Sequence, residues 1–197
     1  MSTPIDDLLD RMHALREELE VELQKKRDEI GFIIEDKRAR FAAEIRQRHL
    51  LQKVGLLRYL RGSRWSVMLT APLIYSGFVA FALLDLFVTL YQAACFPVYG
   101  IPRTKRADYL IFDRGDLAYL NVIERFNCFY CSYANGVIAQ AREVAARTEQ
   151  YWCPIKHARR MLGSHDRYPR FLEFGDAESY RQGIERLRHD YARDGGG

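Results

Sequence analysis

Several common features are scarce or missing in this chain of 197 residues. Four cysteines are too few to suggest the disulfide framework of a small secreted protein. The N-terminal residues are acidic and contain no early apolar run, so we expect no cleavable signal peptide. The sequence also has no glycine-rich phosphate-binding loop, and Ser132 and Ser164 lie in no His-Asp pattern. The sequence therefore predicts neither a nucleotide-binding enzyme nor a serine hydrolase.

Charge is almost absent between Val67 and Phe96. These thirty residues include one group that is charged at neutral pH, Asp85. A helix on the surface of a soluble protein has a polar face, and this stretch has none. Because about 20 apolar residues cross a bilayer core, we predict a membrane segment over residues 65–97.

Two arrangements of this membrane segment are open. One helix of about 45 Å is long enough for a tilted single span. Pro72 and the Ser76-Gly77 pair would instead allow a re-entrant hairpin that dips into one leaflet. Basic residues flank both ends of the segment, which places the N-terminus in the cytoplasm in either case.

The net charge of +4 is concentrated around the membrane segment. Lys and Arg near a membrane attract anionic lipid headgroups, which we expect to be the main partner. Nucleic acid binding is not predicted, because no recognition motif accompanies the basic residues and acidic residues are interleaved with them.

Asp85 is the candidate polar site of the membrane segment. One Asp costs about 3 kcal/mol near a helix centre, less than the surrounding Leu, Ile, Val and Phe residues recover. Intramembrane carboxylates rarely face lipid, so Asp85 is expected to face a partner helix or water. The residue is either a proton or cation site or a hydrogen-bonding group that pairs helices.

Residues 1–64 are predicted to form a long charged helix, broken at most once, that ends in an interfacial entry to the membrane. Helix-start signals at Thr3 to Asp6 precede apolar residues spaced by four, three and four positions, which are Leu8, Met12, Leu15 and Leu19. This spacing is the a/d pattern of a coiled coil. It predicts self-association or capture of a partner protein, with a solvated helix packed on the C-terminal part as the alternative.

The most specific chemical pattern lies within residues 98–165. Cys128-x-x-Cys131 is followed, after 21 residues, by Cys153-x-x-x-His157. A turn at Asn135-Gly136 and a helix from Val137 to Gln150 would bring the two pairs together. Four such soft ligands suit a tetrahedral metal site, which favours structural zinc.

Two alternatives to a zinc site stay open for these residues. Cys153-Pro154 also resembles iron–sulfur ligation, so an iron–sulfur or redox centre is the alternative cofactor. In the absence of any metal, the cysteines are small buried hydrophobic residues. Glu149 either supports the site or forms an ion pair with Arg142, Arg147 or Arg159.

The remaining segments are predicted from local pattern. Tyr109–Asp113 is expected to form a short strand, and Leu117 to Phe126 a helix. Residues 166–197 are expected to form a final helix, capped by Asp176, and a disordered glycine end. The apolar stripe of this helix is Tyr180, Ile184, Leu187 and Tyr191.

Residues from about Leu83 to Arg160 resemble a family of uncharacterised bacterial membrane proteins. The resemblance lies in LLDLFVTLYQAACFPVYGIPR, FNCFYCSYANG and ARTEQYWCPIKHARR. It implies location in the bacterial inner membrane and carries no activity.

The sequence as a whole predicts a mostly α-helical membrane protein with a small cytoplasmic Cys/His module. The predicted role is that of a membrane-tethered scaffold or assembly protein with a structural metal. An iron–sulfur or redox protein is the alternative, and a small ion pathway around Asp85 is the third hypothesis.

Overall fold

The computed structural model describes residues 4–35 and 38–191. As predicted, the chain is mostly helical and contains one long apolar helix. The helices in the described part are α1 (Pro4–Ile30), α2 (Ala43–Leu51), α3 (Leu56–Gly62), α4 (Trp65–Tyr99), α5 (Val122–Trp152) and α6 (Ala177–His189). The strands β1 (Phe32–Glu35) and β2 (Arg38–Phe41) form an antiparallel pair.

The chain divides into two compact units. The first unit comprises Met1–Gly62 and Asp113–Phe126, and the second comprises Ser63–Phe112 and Asn127–Gly197. The four-part division at residues 64, 97 and 165 stays a prediction.

In the first unit, a β-hairpin interrupts the charged helical region. Gly31 has φ 76°, a left-handed conformation that ends α1 at little cost. Phe32 then pairs with Phe41 across the hairpin, and their ring centroids lie 5.6 Å apart. Phe41 also contacts the ring of His49 in α2. The predicted break is therefore a hairpin with its own aromatic contacts, while the predicted capping residue Thr3 lies outside the described residues.

In the second unit, α4 is one uninterrupted helix, so the break that a re-entrant hairpin requires does not form. Ser76 and Gly77 lie within this helix, and Gly77 makes room for Tyr130: a Cβ atom at Gly77 would lie 2.5 Å from the Tyr130 hydroxyl. The helix ends at Gly100, which has φ 67°, and the Ile101 N–H donates to the carbonyl of Phe96 at 2.9 Å.

Residues 101–112, here called the returning segment, run back along α4 towards its N-terminus. Arg103 donates to the carbonyl of Ala93 at 2.9 Å, and Arg106 reaches Asp85 further back. The expected strand at Tyr109–Asp113 is wrong. The segment contains a short 3-10 helix, Arg106–Asp108, and a second one spans Asp113–Asp116.

The helix α5 begins at Val122, five residues later than the predicted helix start at Leu117. Asn121 and Glu124 form a reciprocal capping box: the Asn121 N–H donates to the Glu124 carboxylate at 2.8 Å, and the Glu124 N–H donates to the Asn121 side chain at 3.0 Å. In the second unit α5 runs parallel to α4, since Tyr130 contacts Ile74 and Tyr151 contacts Tyr99.

The C-terminal helix α6 closes the core of the second unit. Asp176 caps it as predicted, accepting the N–H of Ser179 at 3.1 Å, and Ile184 and Leu187 are buried. The core cluster consists of Val88, Phe96, Ile101 and Val144. The predicted glycine end lies outside the described residues.

Candidate functional site

The helix α4 buries its most polar residues and exposes most of its large apolar ones. Asp85 and Gln92 are buried, although both are strongly polar. The exposed large apolar residues from 65 to 99 are Trp65, Val67, Met68, Leu69, Leu73, Ile74, Val79, Leu83, Leu86, Phe87, Leu90 and Val98. Within the apolar window of α4 only 11% is buried, so α4 is not a covered core helix.

Asp85 is 9% exposed and makes three hydrogen bonds. Arg106 donates through Nε to Oδ1 at 3.1 Å and through Nη2 to Oδ2 at 2.5 Å. The hydroxyl of Tyr133, on α5, donates to Oδ2 at 3.0 Å. The fork between Arg106 and Asp85 is a strong form of charge-assisted pairing, and it raises the pKa of Arg106 above its ordinary value.

Asp85 therefore faces a partner helix, as expected, but its main partner is an arginine of the returning segment. Burial is the largest cause that raises the pKa of Tyr133, followed by its hydrogen bond to Asp85. Tyr133 thus stays a neutral donor at physiological pH. This arrangement suits a structural contact between three chain segments.

A second buried polar contact lies about two helical turns further along α4. The side-chain oxygen of Gln92 accepts the N–H of Thr104 at 3.0 Å and its hydroxyl at 3.1 Å. Gln140 of α5 donates to the same hydroxyl at 3.2 Å. Together with Asp85, these groups fix the returning segment between α4 and α5.

The structure does not bring the four predicted metal ligands together. Cys128 and Cys131 lie on α5, which continues as one helix to Trp152, so the expected turn at Asn135-Gly136 is wrong. Cys153 follows the end of that helix, about 33 Å along its axis from Cys131. Gly136 does not form a turn but allows another segment to pack closely on α5. A Cβ atom at this position would lie 2.7 Å from the carbonyl oxygen of Tyr109.

Cys153 and His157 also do not share a helical turn. The helix ends at Trp152, before Cys153, and Ile155 forms a bridge with Leu172. His157 is exposed. Its backbone N–H donates to the Tyr168 hydroxyl at 2.6 Å, and its ring stacks on that of Tyr168. Among residues 4–35 and 38–191, no group of three or more His, Cys, Asp or Glu side chains is placed to hold a metal ion.

Glu149 has a different partner from those predicted. Its carboxylate lies 2.9 Å from Nε2 of His165. Arg142 instead donates to the backbone carbonyls of Gly163 and Ser164, and Arg147 to Glu143 and to the carbonyl of Pro102. These contacts join α5 to the segments around it, which is a structural role.

Comparisons with known proteins give no relative: the chain matches no protein-family model, no curated protein and no solved structure. The class is therefore defined by the fold alone. Over the residues that the structure describes, this is a mostly helical protein with one helix, α4, that is long and apolar enough to cross a membrane.

Proposed function

We propose that this chain is a membrane-associated scaffold protein whose second unit attaches to a lipid bilayer through α4. The observation that supports the proposal is that α4 has its charged residue inside and most of its large apolar residues outside, the reverse of a helix on the surface of a soluble protein. Its only residue charged at neutral pH is buried against the protein, while leucines such as Leu69 and Leu83 are exposed. A protein in water loses stability from such an arrangement, whereas a protein in contact with lipid gains from it.

The scaffold role rests on α1. Leu8, Met12, Leu15 and Leu19 are all exposed along α1. Their a/d spacing is self-complementary, so a second copy of this chain is the partner that fits it. We therefore assign α1 to self-association and α4 to membrane attachment. The proposal places the protein at the bacterial inner membrane and includes no metal, since the predicted ligands lie apart.

The proposal is tested by flotation of the full chain with lipid vesicles. Wild-type protein should float with vesicles and resist release by high salt and alkaline carbonate. Leu83→Glu should reduce the floating fraction at least about tenfold, because it places a charge on the apolar face of α4.

Leu162→Glu is the matched control, since Leu162 is also an exposed leucine but lies outside α4. We expect it to float like the wild type. Wild-type protein that stays in the soluble fraction would refute membrane attachment. An equal loss for both variants would show that α4 has no special role.

A further inference from the structure

One side of α4 contacts α5 along most of the helix, which limits how α4 can insert into a bilayer. Tyr130 of α5 donates to the carbonyl of Ile74 at 2.7 Å, and the Tyr99 ring lies 5.1 Å from that of Tyr151. The contacts with α5 thus extend from residue 74 to residue 99, about 38 Å along the helix. The part of α4 before residue 74 is only about 14 Å long, less than half of a hydrocarbon core of about 30 Å.

Charged residues lie beside the C-terminal half of α4. The returning segment places Arg103 at the level of Ala93 and Arg106 at the level of Asp85. Lys105 lies between them and is exposed, and the Arg106 side chain is 53% exposed. A perpendicular span centred on α4 would carry Lys105 and Arg106 into the hydrocarbon together with α5, where exposed charge is strongly disfavoured.

An orientation in the plane of the membrane satisfies both features. The apolar face of α4 would enter the acyl region along its whole length, and the cations of the returning segment would reach the phosphate groups. Leu69, Leu83 and Val98 share one side of α4 and are 78%, 62% and 77% exposed, so this face is continuous from end to end.

We infer that α4 lies parallel to the bilayer surface, immersed on one side only, and that the returning segment contacts anionic lipid headgroups. This inference rests on the proposed membrane attachment and specifies its geometry. It makes the second unit a monotopic module, bound to one leaflet, in place of a spanning one.

The test measures the depth of three positions in vesicles of phosphatidylcholine and phosphatidylglycerol. A parent chain with its four cysteines replaced by serine receives Leu69→Cys, Leu83→Cys or Val98→Cys, each labelled with a nitroxide. Collision with oxygen and with a water-soluble nickel complex then gives the depth of each label. Lys105→Cys serves as the headgroup control.

For an in-plane helix, the three labels should lie at equal depth within about one helical turn, ~5 Å, with the label at position 105 nearer to water. A profile that is deepest at position 83 and shallow at positions 69 and 98 would overturn the inference, since either a span or a hairpin produces it. Protein that does not float with the vesicles would contradict the membrane attachment itself.

A second measurement needs no substitution. Because α4 and α5 run parallel and contain more than half of the residues in the described helices, polarised infrared spectroscopy of the wild-type protein on oriented bilayers is weighted towards their shared axis. Amide I dichroism that indicates an in-plane axis supports the inference. Dichroism that indicates an axis along the membrane normal overturns it.

Discussion

At the scale of single residues, Gly136 determines how closely the returning segment approaches α5. A Cβ atom at this position would lie 2.7 Å from the Tyr109 carbonyl oxygen and 3.2 Å from the Leu110 Cα. Both neighbours are backbone atoms of a segment that is also hydrogen-bonded to α4, so they have little room to move. Glycine is required here for close packing inside a helix.

Gly136→Ala should therefore destabilise the protein although alanine is the better helix former. The clash outweighs the gain in helix propensity of about 1 kcal/mol, and we expect a net loss of about 1–2 kcal/mol. The measurement is thermal unfolding in mild detergent, followed by circular dichroism. Gly62→Ala is the control, since a Cβ atom at Gly62 meets nothing within 4 Å. A rise in Tm for Gly136→Ala would contradict the packing argument.

Tyr191 gives a prediction for alkaline pH. Burial, opposed by nearby Arg167, raises the pKa of Tyr191 from 10.0 to about 12. Its hydroxyl donates to the carbonyl of Arg147 at 3.1 Å. A raised pKa in the folded state means that the unfolded chain loses this proton first. The stability due to Tyr191 is therefore complete below about pH 10 and is lost as the pH rises towards about 12.

Tyr191→Phe should remove the part of the loss of folding stability at alkaline pH that is due to Tyr191. Below about pH 10 the variant should be less stable by about 1 kcal/mol, the contribution of one hydrogen bond. The difference from wild type should shrink and then change sign between about pH 10 and about 12, because Phe has no group that ionises there. Urea unfolding at several pH values measures it, and a difference that stays constant across this range would count against the assignment.

Residue-scale prediction from sequence succeeds where the signal is local. Asp85 stands out because it is the only charge in an apolar stretch, and that isolation predicts a partner for it. Its actual partner, Arg106, is not predictable because a non-helical segment brings it back over 21 positions. Asn135-Gly136 has the composition of a turn, and the sequence does not show that another backbone packs on the glycine.

At the scale of elements, α1 is a long helix with an apolar seam on its exposed surface. Leu15 and Leu19 are 63% and 59% exposed. Their burial in a coiled coil contributes about 1.5–3 kcal/mol for each side chain. Such a stripe stabilises the protein only when another helix covers it. This is why we assign α1 to self-association.

Replacing both Leu15 and Leu19 by Asp should weaken self-association of the full chain by at least about 100-fold. Sedimentation equilibrium in detergent gives the mass and the Kd. Val21→Asp is the control, because Val21 is also exposed but lies on the opposite side of the helix from Leu19. A wild-type chain that is monomeric at all concentrations would refute the role of α1.

Elements with a strong periodic or compositional signal are predicted best. The apolar run of α4 and the Asp176 cap of α6 are confirmed, as are Tyr180, Ile184 and Leu187 of its stripe, while Tyr191 lies beyond the end of the helix. The β-hairpin after Gly31 is missed because the charge pattern continues through it. The Cys-x-x-Cys pattern predicts a loop-borne ligand pair, yet it lies on α5, where helix-forming residues extend on both sides.

At the scale of the whole molecule, composition indicates membrane contact, but the orientation depends on how the second unit folds. The apolar stretch from Val67 to Phe96 can be recognised from its lack of charge alone. The returning segment and α5 cannot be placed against it from sequence, because their contacts come from Gln92, Asp85 and distant partners. Those contacts place Arg103, Lys105 and Arg106 beside the C-terminal half of α4.

The basic residues of the returning segment give the last prediction. Arg103 and Lys105 are exposed, and each should contribute about 1 kcal/mol of attraction to an anionic surface. Replacing both by Gln should weaken binding to phosphatidylglycerol-containing vesicles by about 30-fold at low salt. Binding to neutral phosphatidylcholine vesicles should be unchanged, and high salt should remove the difference between variant and wild type.

The matched control removes the same charge from another exposed site. Arg181 and Arg186 are exposed on α6, so the pair Arg181→Gln and Arg186→Gln has an equal effect on net charge. If the cations beside α4 contact headgroups, the control pair should bind anionic vesicles nearly as well as wild type. An equal loss for both pairs would mean that net charge alone attracts the protein, and that the returning segment does not face the lipid.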